Sequence, residues 1–186
     1  NGTINLIPGF VGPSDMEEIK RIASVMGVKT IMFPDTSGVL NGPLTGKYKM
    51  YPNGGTTVAQ MKAAGDSSFT IGLGSFASTA AARALDTKCK VPCEVLDLPI
   101  GLAATDRFVD LLRRKGGVQV PESLEFERGQ LVDMISDMHQ YLYGKTVALG
   151  GAPDHVAALC EFLVSLDMRP IHMVSGTPGK KFLSRI

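Results

Sequence analysis

The chain has 186 residues, of which 44% are hydrophobic and 20% charged, with a formal net charge of +1; this suffices for one globular domain or one and a fraction. So even a charge balance leaves no electrostatic footprint for nucleic acid or an anionic membrane, and the lack of tryptophan weakens any base-stacking role. No apolar run approaches the ~18 residues of a membrane helix, and three cysteines, Cys89, Cys93 and Cys160, form no even disulfide framework, as expected of a reducing, cytoplasmic compartment.

"TINLIP" (Thr3–Pro8) is a short β-branched run and is expected to form a buried strand. "SDMEEIKRIASVMG" follows, with Ser14 and Glu17 at capping-box spacing and Met16, Ile19, Ile22, Ala23 and Met26 on one helical face. Gly27 is placed to end that helix in the left-handed conformation, and "VKTIMFPD" supplies a second strand, completing a β-α-β unit. Thr36–Gly55 is a glycine- and proline-rich loop, long for a compact domain and so expected to act as a lid, a partner contact or an excursion over another subunit. "TTVAQMKAAG" predicts a short helix, "SFTIGLG" a strand, "ASTAAARALDTK" a small-residue helix and "PCEVLDLP" another strand. "GLAATDRFVDLLRRKGG" predicts a helix with Phe108, Leu111 and Leu112 on one face.

Strand and helix alternate through residues 1–117, which predicts a Rossmann-like α/β domain with a mostly parallel sheet. Residues 118–144 change character. Pro121 can open a long connecting helix in which Leu131, Ile135, Met138 and Leu142 recur at helical spacing. Residues 145–186 open a second Rossmann-like unit: strand "KTVALG", helix "DHVAALCEFLVSLD", strand "RPIHMVSG" and the start of another helix. Two strands and one helix bury little on their own. This unit is therefore expected either to extend the first sheet or to belong to a longer protein, the second being favoured; the chain also begins at Asn1 rather than methionine.

Few residues point to chemistry. The strand-to-helix turn Gly150-Gly151-Ala152-Pro153-Asp154 invites comparison with a dinucleotide fingerprint, but it is one glycine short. Pro153 removes an amide from the first turn, and Asp154 would repel a phosphate. A structural turn is expected. Cys89 and Cys93 stand at C-x3-C with no partner pair or nearby histidine and are expected to be buried or half-buried free thiols, while Cys160 falls on an apolar helix face and is expected in the core. His139, His155 and His172 lie on three separate elements. His139, with Asp133 and Asp137 beside it, suits a solvated face or a partner contact. Asp35 and Asp97 follow probable parallel strands, at the edge where open α/β sheets bind ligands, and with the Gly72/Gly74 strand end they are the best candidates for a pocket. Loop capping explains the two aspartates equally well.

A resemblance adds what these residues do not. "INLIPGF", "EIKRIASVMGV", "PDTSGVLNGPLTGKYKMYPNGGTT", "LPIGLAATDRF" and above all "ERGQLVDMISDMHQYLYGKTVALGGAPDHV" resemble the beta-subunit family of the nitrogenase molybdenum-iron protein, in order from Ile4 to about Lys181. The resemblance implies a longer subunit of three Rossmann-like domains, this chain covering the second, the connecting helix and the opening of the third. It implies an α2β2 assembly with the alpha subunit and a second beta subunit, reducing dinitrogen to ammonia with electrons from an iron protein. It also implies a shared iron–sulfur P-cluster and an iron-molybdenum cofactor in the alpha subunit. Cys89, Cys93 and Cys160 stand in none of that family's ligand motifs, so the expectation is no catalytic, cofactor-binding or metal-ligating residue here and a scaffolding role. A subunit that scaffolds assembly of the iron-molybdenum cofactor, sharing "PGF", "PDTSG" and "GGT", is the second expectation. A small-molecule-binding α/β domain using Asp35 and Asp97 is the third.

Overall fold

The computed structural model describes residues 2–177 and 180–184, and the chain divides into two compact units.

The first unit comprises Asn1–Val95 and Leu112–Gln119. Its sheet contains β1 (Ile4–Ile7), β2 (Thr30–Met32), β3 (Phe69–Leu73) and β4 (Cys93–Leu96) in the order β2-β1-β3-β4. β1 runs parallel to both neighbours, with Ile4 opposite Thr30 on one side and Phe69 on the other. Every residue of β1 and β3 is buried. That is the signature of parallel strands covered on both faces, and it explains why they read as continuous apolar runs rather than alternating ones.

Helix α1 (Pro13–Val25) buries Met16, Ile19, Ile22 and Ala23, with Met26 just beyond it, the face that the spacing predicts. Gly27 follows at φ 71°, the expected left-handed stop. The start differs from expectation. Gly12 is the N-cap, Pro13 opens the helix, and the Gly12 amide donates to the Asp15 carboxylate at 2.9 Å. Pro13 is pre-organised for the first helical position, which sets the frame two residues ahead of the predicted Ser14/Glu17 box. A full capping box does occur at α2 (Val58–Ala63), where Thr57 and Gln60 bond each other's backbone amides at 3.2 and 2.8 Å.

Beneath α2 lies a polar knot. Asn5, on the central strand, donates to the Ala64 carbonyl at 2.8 Å and the Thr70 hydroxyl at 3.3 Å, and accepts from Ser67 Oγ at 2.8 Å. All three polar residues are buried and hydrogen-bonded, so the network fixes the register of β1 against β3 with its desolvation offset by internal bonds. Helix α3 (Ser75–Cys89) packs on this sheet.

The second unit comprises Leu96–Leu111 and Val120–Ile186. It holds the start of α4 (Leu102–Gly116), then α5 (Glu122–Leu142), β5 (Thr146–Gly150), α6 (Pro153–Ser165), β6 (Arg169–Val174) and α7 (Lys180–Leu183). Phe108 and Leu111 of α4 are fully buried, as is Leu112 where the helix enters the first unit. β5 and β6 pair in parallel as a sheet of their own, with an irregularity between Val147 and Ala148. The strands do not extend the first sheet. β5 alternates exposed and half-buried residues, whereas α6 buries Val156, Ala157 and Ala158. On α5, Leu131, Ile135 and Leu142 are half-buried and Met134 and Met138 exposed; Leu124 alone is buried. A bidentate pair from Arg128 to Asp106, both contacts at 2.9 Å, ties α5 to α4.

Candidate functional site

In a sheet of order β2-β1-β3-β4 the chain reverses direction of growth between β1 and β3, and the carboxyl ends of those strands are where a ligand crevice is expected. Here that point is stitched shut. Ser78 of α3 is fully buried, and its hydroxyl lies 2.5 Å from the Leu73 carbonyl and 3.3 Å from that of Ile7. A side chain on Gly72 would meet Ser78 Cβ at 3.1 Å and Val95 Cγ2 at 3.2 Å, so this glycine serves close packing of helix on strand. Gly74, at φ 79°, supplies the left-handed turn into α3. The Gly72/Gly74 strand end is therefore packed structure. Ser78 escapes sequence reasoning, because a lone serine in a small-residue helix carries no periodic signal.

Asp35 sits just past β2 with only 6% of its side chain exposed. It accepts from Lys20 Nζ at 2.7 Å and from the Ser37 amide and hydroxyl at 2.9 and 2.6 Å. Burial pushes this carboxyl upward, but the Lys20 and Ser37 hydrogen bonds and the Lys20 charge outweigh it and hold the group below its ordinary value. Of the two readings open to Asp35, loop capping is the one realised: it ties α1 to the start of the long loop. Thr56 closes the other end by donating to the Met32 carbonyl, and the Gly55 amide donates to Ser37 O at 3.1 Å. Asp97 is half-buried in the second unit, directly after β4, and is not a free carboxylate.

The glycine turn of the second unit is likewise occupied by its own fold. The Gly151 amide donates to Val174 O at 3.0 Å, linking β5 to the end of β6, and α6 begins with Ala152 as N-cap and Pro153 as its first residue. Asp154 is buried at the helix start, where its charge suits the helix dipole. The Gly151 amide is thus spent within the fold, and Pro153 has none to offer a phosphate. His139 is engaged as well: its Nε2 lies 2.8 Å from Asp167 Oδ2 and its ring 5.6 Å from that of Tyr143, both across an exposed surface. Nothing in the sequence pattern marks Asp167, which stands at φ 56° in the turn after α6.

The thiols depart partly from expectation. Cys89 ends α3 and Cys93 begins β4, as read from the sequence, but Cys89 is exposed rather than buried and Cys160 is half-buried rather than core. Burial raises the Cys93 thiol, with the Asp86 charge adding to it, and burial alone raises Cys160. An iron–sulfur cluster needs converging thiolates. These three cysteines do not fit one: among the described residues no group of three or more His, Cys, Asp or Glu is placed to hold a metal ion. No described helix is long and apolar enough to cross a membrane.

The model of the family Nitrogenase component 1 type Oxidoreductase matches residues 1–186. The chain is 54% identical over 186 residues to a nitrogenase molybdenum-iron protein beta chain of Clostridium pasteurianum, covering 100% of this chain and 41% of that one. It is 37% identical to the corresponding chain of Frankia alni, covering 98% and 35%. Its structure superimposes with a TM-score of 0.98 on the solved structure of nitrogenase Cp1 at pH 6.5, at 54% identity, covering 100% of this chain and 41% of that chain. The chain thus spans about two-fifths of the length of these relatives. The fold is therefore shared along the whole chain, and over its whole length the chain belongs to the nitrogenase component 1 type oxidoreductase family.

Proposed function

We propose that this chain is an internal section of a nitrogenase molybdenum-iron protein beta chain and that its role there is structural. The observation that carries this reading is the 54% identity over every residue to one such beta chain, together with a TM-score of 0.98 over the whole chain. The parent would act in the cytoplasm as an α2β2 oxidoreductase with its alpha subunit and a second beta subunit, reducing dinitrogen to ammonia with electrons from the iron protein. The P-cluster and the iron-molybdenum cofactor would be held by residues outside this section. What these residues contribute is shape: a covered sheet pinned by Asn5 and Ser78, a long loop clamped by Asp35, and a long helix α5 tied to α4 by the Arg128–Asp106 pair.

Two experiments test the reading separately. The 186-residue chain, incubated anaerobically with ferrous iron and sulfide and then desalted, is expected to stay colourless. A stoichiometric iron–sulfur absorption band, lost in Cys89→Ser, would overturn the structural role. Sequencing the full reading frame tests the parent: cysteines upstream with beta-chain spacing support it, and the spacing of a cofactor-assembly subunit would replace it with the maturation reading.

A further inference from the structure

The long loop between β2 and α2 has a surface that the scaffold role leaves unused. Leu40, Leu44, Tyr48, Met50 and Tyr51 are all exposed, Tyr48 at 89% and Tyr51 at 81%. Leu44 and Tyr48 help to line an open hollow of ≈ 600 Å³, with Pro43, Lys47 and Lys49. Large apolar groups gathered on one projection mark an interaction site more often than chance. The loop is also held in shape. Its base is fixed by the Asp35 clamp and the Gly55 bond, and inside it the Leu40 amide reaches Thr36 O at 3.0 Å, the Gly38 amide reaches Asn41 Oδ1 at 2.7 Å, and Lys49 Nζ lies 3.1 Å from Asn53 Oδ1. At Gly55, φ is +66° and any Cβ would lie 2.7 Å from the Asp35 carbonyl. A projection fixed in this way loses little conformational freedom on binding.

Its charge points to the partner. From Thr36 to Gly65 the sequence contains Lys47, Lys49 and Lys62 and neither aspartate nor glutamate. We propose that the segment Leu40–Tyr51 docks on a protein face that places carboxylates around an apolar centre, Lys47 and Lys49 pairing at the rim and Tyr48 and Tyr51 filling the middle. Tyrosine anchors with a charged rim are the usual division of labour in such interfaces. Two lysines on a loop fall short of a membrane anchor, which needs an amphipathic helix or a longer basic cluster. A duplex partner would demand far more phosphate contacts than this chain's net charge supplies. The choice of preparation below rests on the parent reading; the docking chemistry does not.

The full-length parent is isolated from its native host by mild lysis, treated with a water-soluble carbodiimide, which joins lysine amines directly to carboxylates in contact, and mapped by mass spectrometry. Cross-links from Lys47 or Lys49 to Asp or Glu of another polypeptide are expected, with acetylation of both lysines at least about fivefold slower than that of exposed Lys29. Lys47→Glu/Lys49→Glu is expected to abolish the cross-links, and Tyr48→Ala/Tyr51→Ala to weaken association about tenfold with both lysines intact. Each variant is checked by circular dichroism for an unchanged fold. Acetylation at the Lys29 rate, cross-links confined to the same polypeptide, or protection only on phosphatidylserine-containing vesicles would overturn the proposal. Dinitrogen reduction by the same preparation reports on the parent reading independently.

Discussion

The two parallel sheets of this chain obey the same β-α-β grammar and reach different ends. In the first, β1 and β3 are buried along their entire length. In the second, every other residue of β5 faces solvent, and Ile171 and Val174 of β6 are more than half exposed. The difference lies in neighbours. β1 has a strand on each side, whereas among the described residues β5 and β6 pair only with each other, and a two-stranded sheet is marginal in water. A strand sequence therefore specifies its pairing direction locally but its burial only through the strands and helices that join it.

The largest expected effect contrasts the two interiors. Ile71→Ala in β3 should cost about 2–5 kcal/mol in urea denaturation, because the site is sealed and relaxes poorly. Val147→Ala, half-buried in β5, should cost about 1 kcal/mol or less. Similar losses at the two positions would break the contrast. Next come the glycines. Gly72→Val should destabilise by about 1–3 kcal/mol, since its first carbon already meets Ser78 and Val95. Gly150→Ala meets nothing within 4 Å and should stay within about 0.5 kcal/mol of the parent. A large penalty at Gly150 would contradict the open surroundings of that turn.

Asp35→Asn should cost about 1 kcal/mol and speed proteolysis of the Thr36–Gly55 loop. Its pH dependence has a definite sign. The folded carboxyl lies below its unfolded value, so its stabilisation is complete above the unfolded carboxylate range and fades as pH falls through the lowered folded value. The gap between parent and Asp35→Asn should therefore shrink in acid; a gap that widened on acidification would contradict the clamp. The smallest effect belongs to His139→Ala, which removes an exposed pair with Asp167 and should shift the urea midpoint by no more than about 0.5 kcal/mol equivalent.

These contrasts also show what a sequence displays and what it withholds. The faces of α1 and α4 were legible because Met16, Ile19, Ile22 and Ala23, or Phe108, Leu111 and Leu112, repeat with the helical period. The Gly27 stop and both parallel units were legible for similar local reasons. The polar groups that close the fold were not. Asn5, Ser67, Thr70 and Ser78 are ordinary residues until the chain brings strands 65 residues apart in sequence side by side. Lys20 reaches Asp35 only because α1 lies against β2. The exposure of Cys89 turns on the residue's place at a helix end, and the frame of α1 on a proline that outranked a plausible cap. For the candidate pocket, sequence placed Asp35 at the correct edge but left its partner unknown, and the partner decided between ligand and loop.

The central contrast is between β1 and β3, buried along their length in the first unit, and β5 and β6, which keep exposed residues in the second. Amide hydrogen exchange on the 186-residue chain and on its full-length parent tests it most directly. The account predicts slow exchange in β1 and β3 in both proteins, with β5 and β6 exchanging fast in the 186-residue chain and becoming protected in the parent. Protection of β5 and β6 equal to that of β3 in the 186-residue chain itself would contradict it.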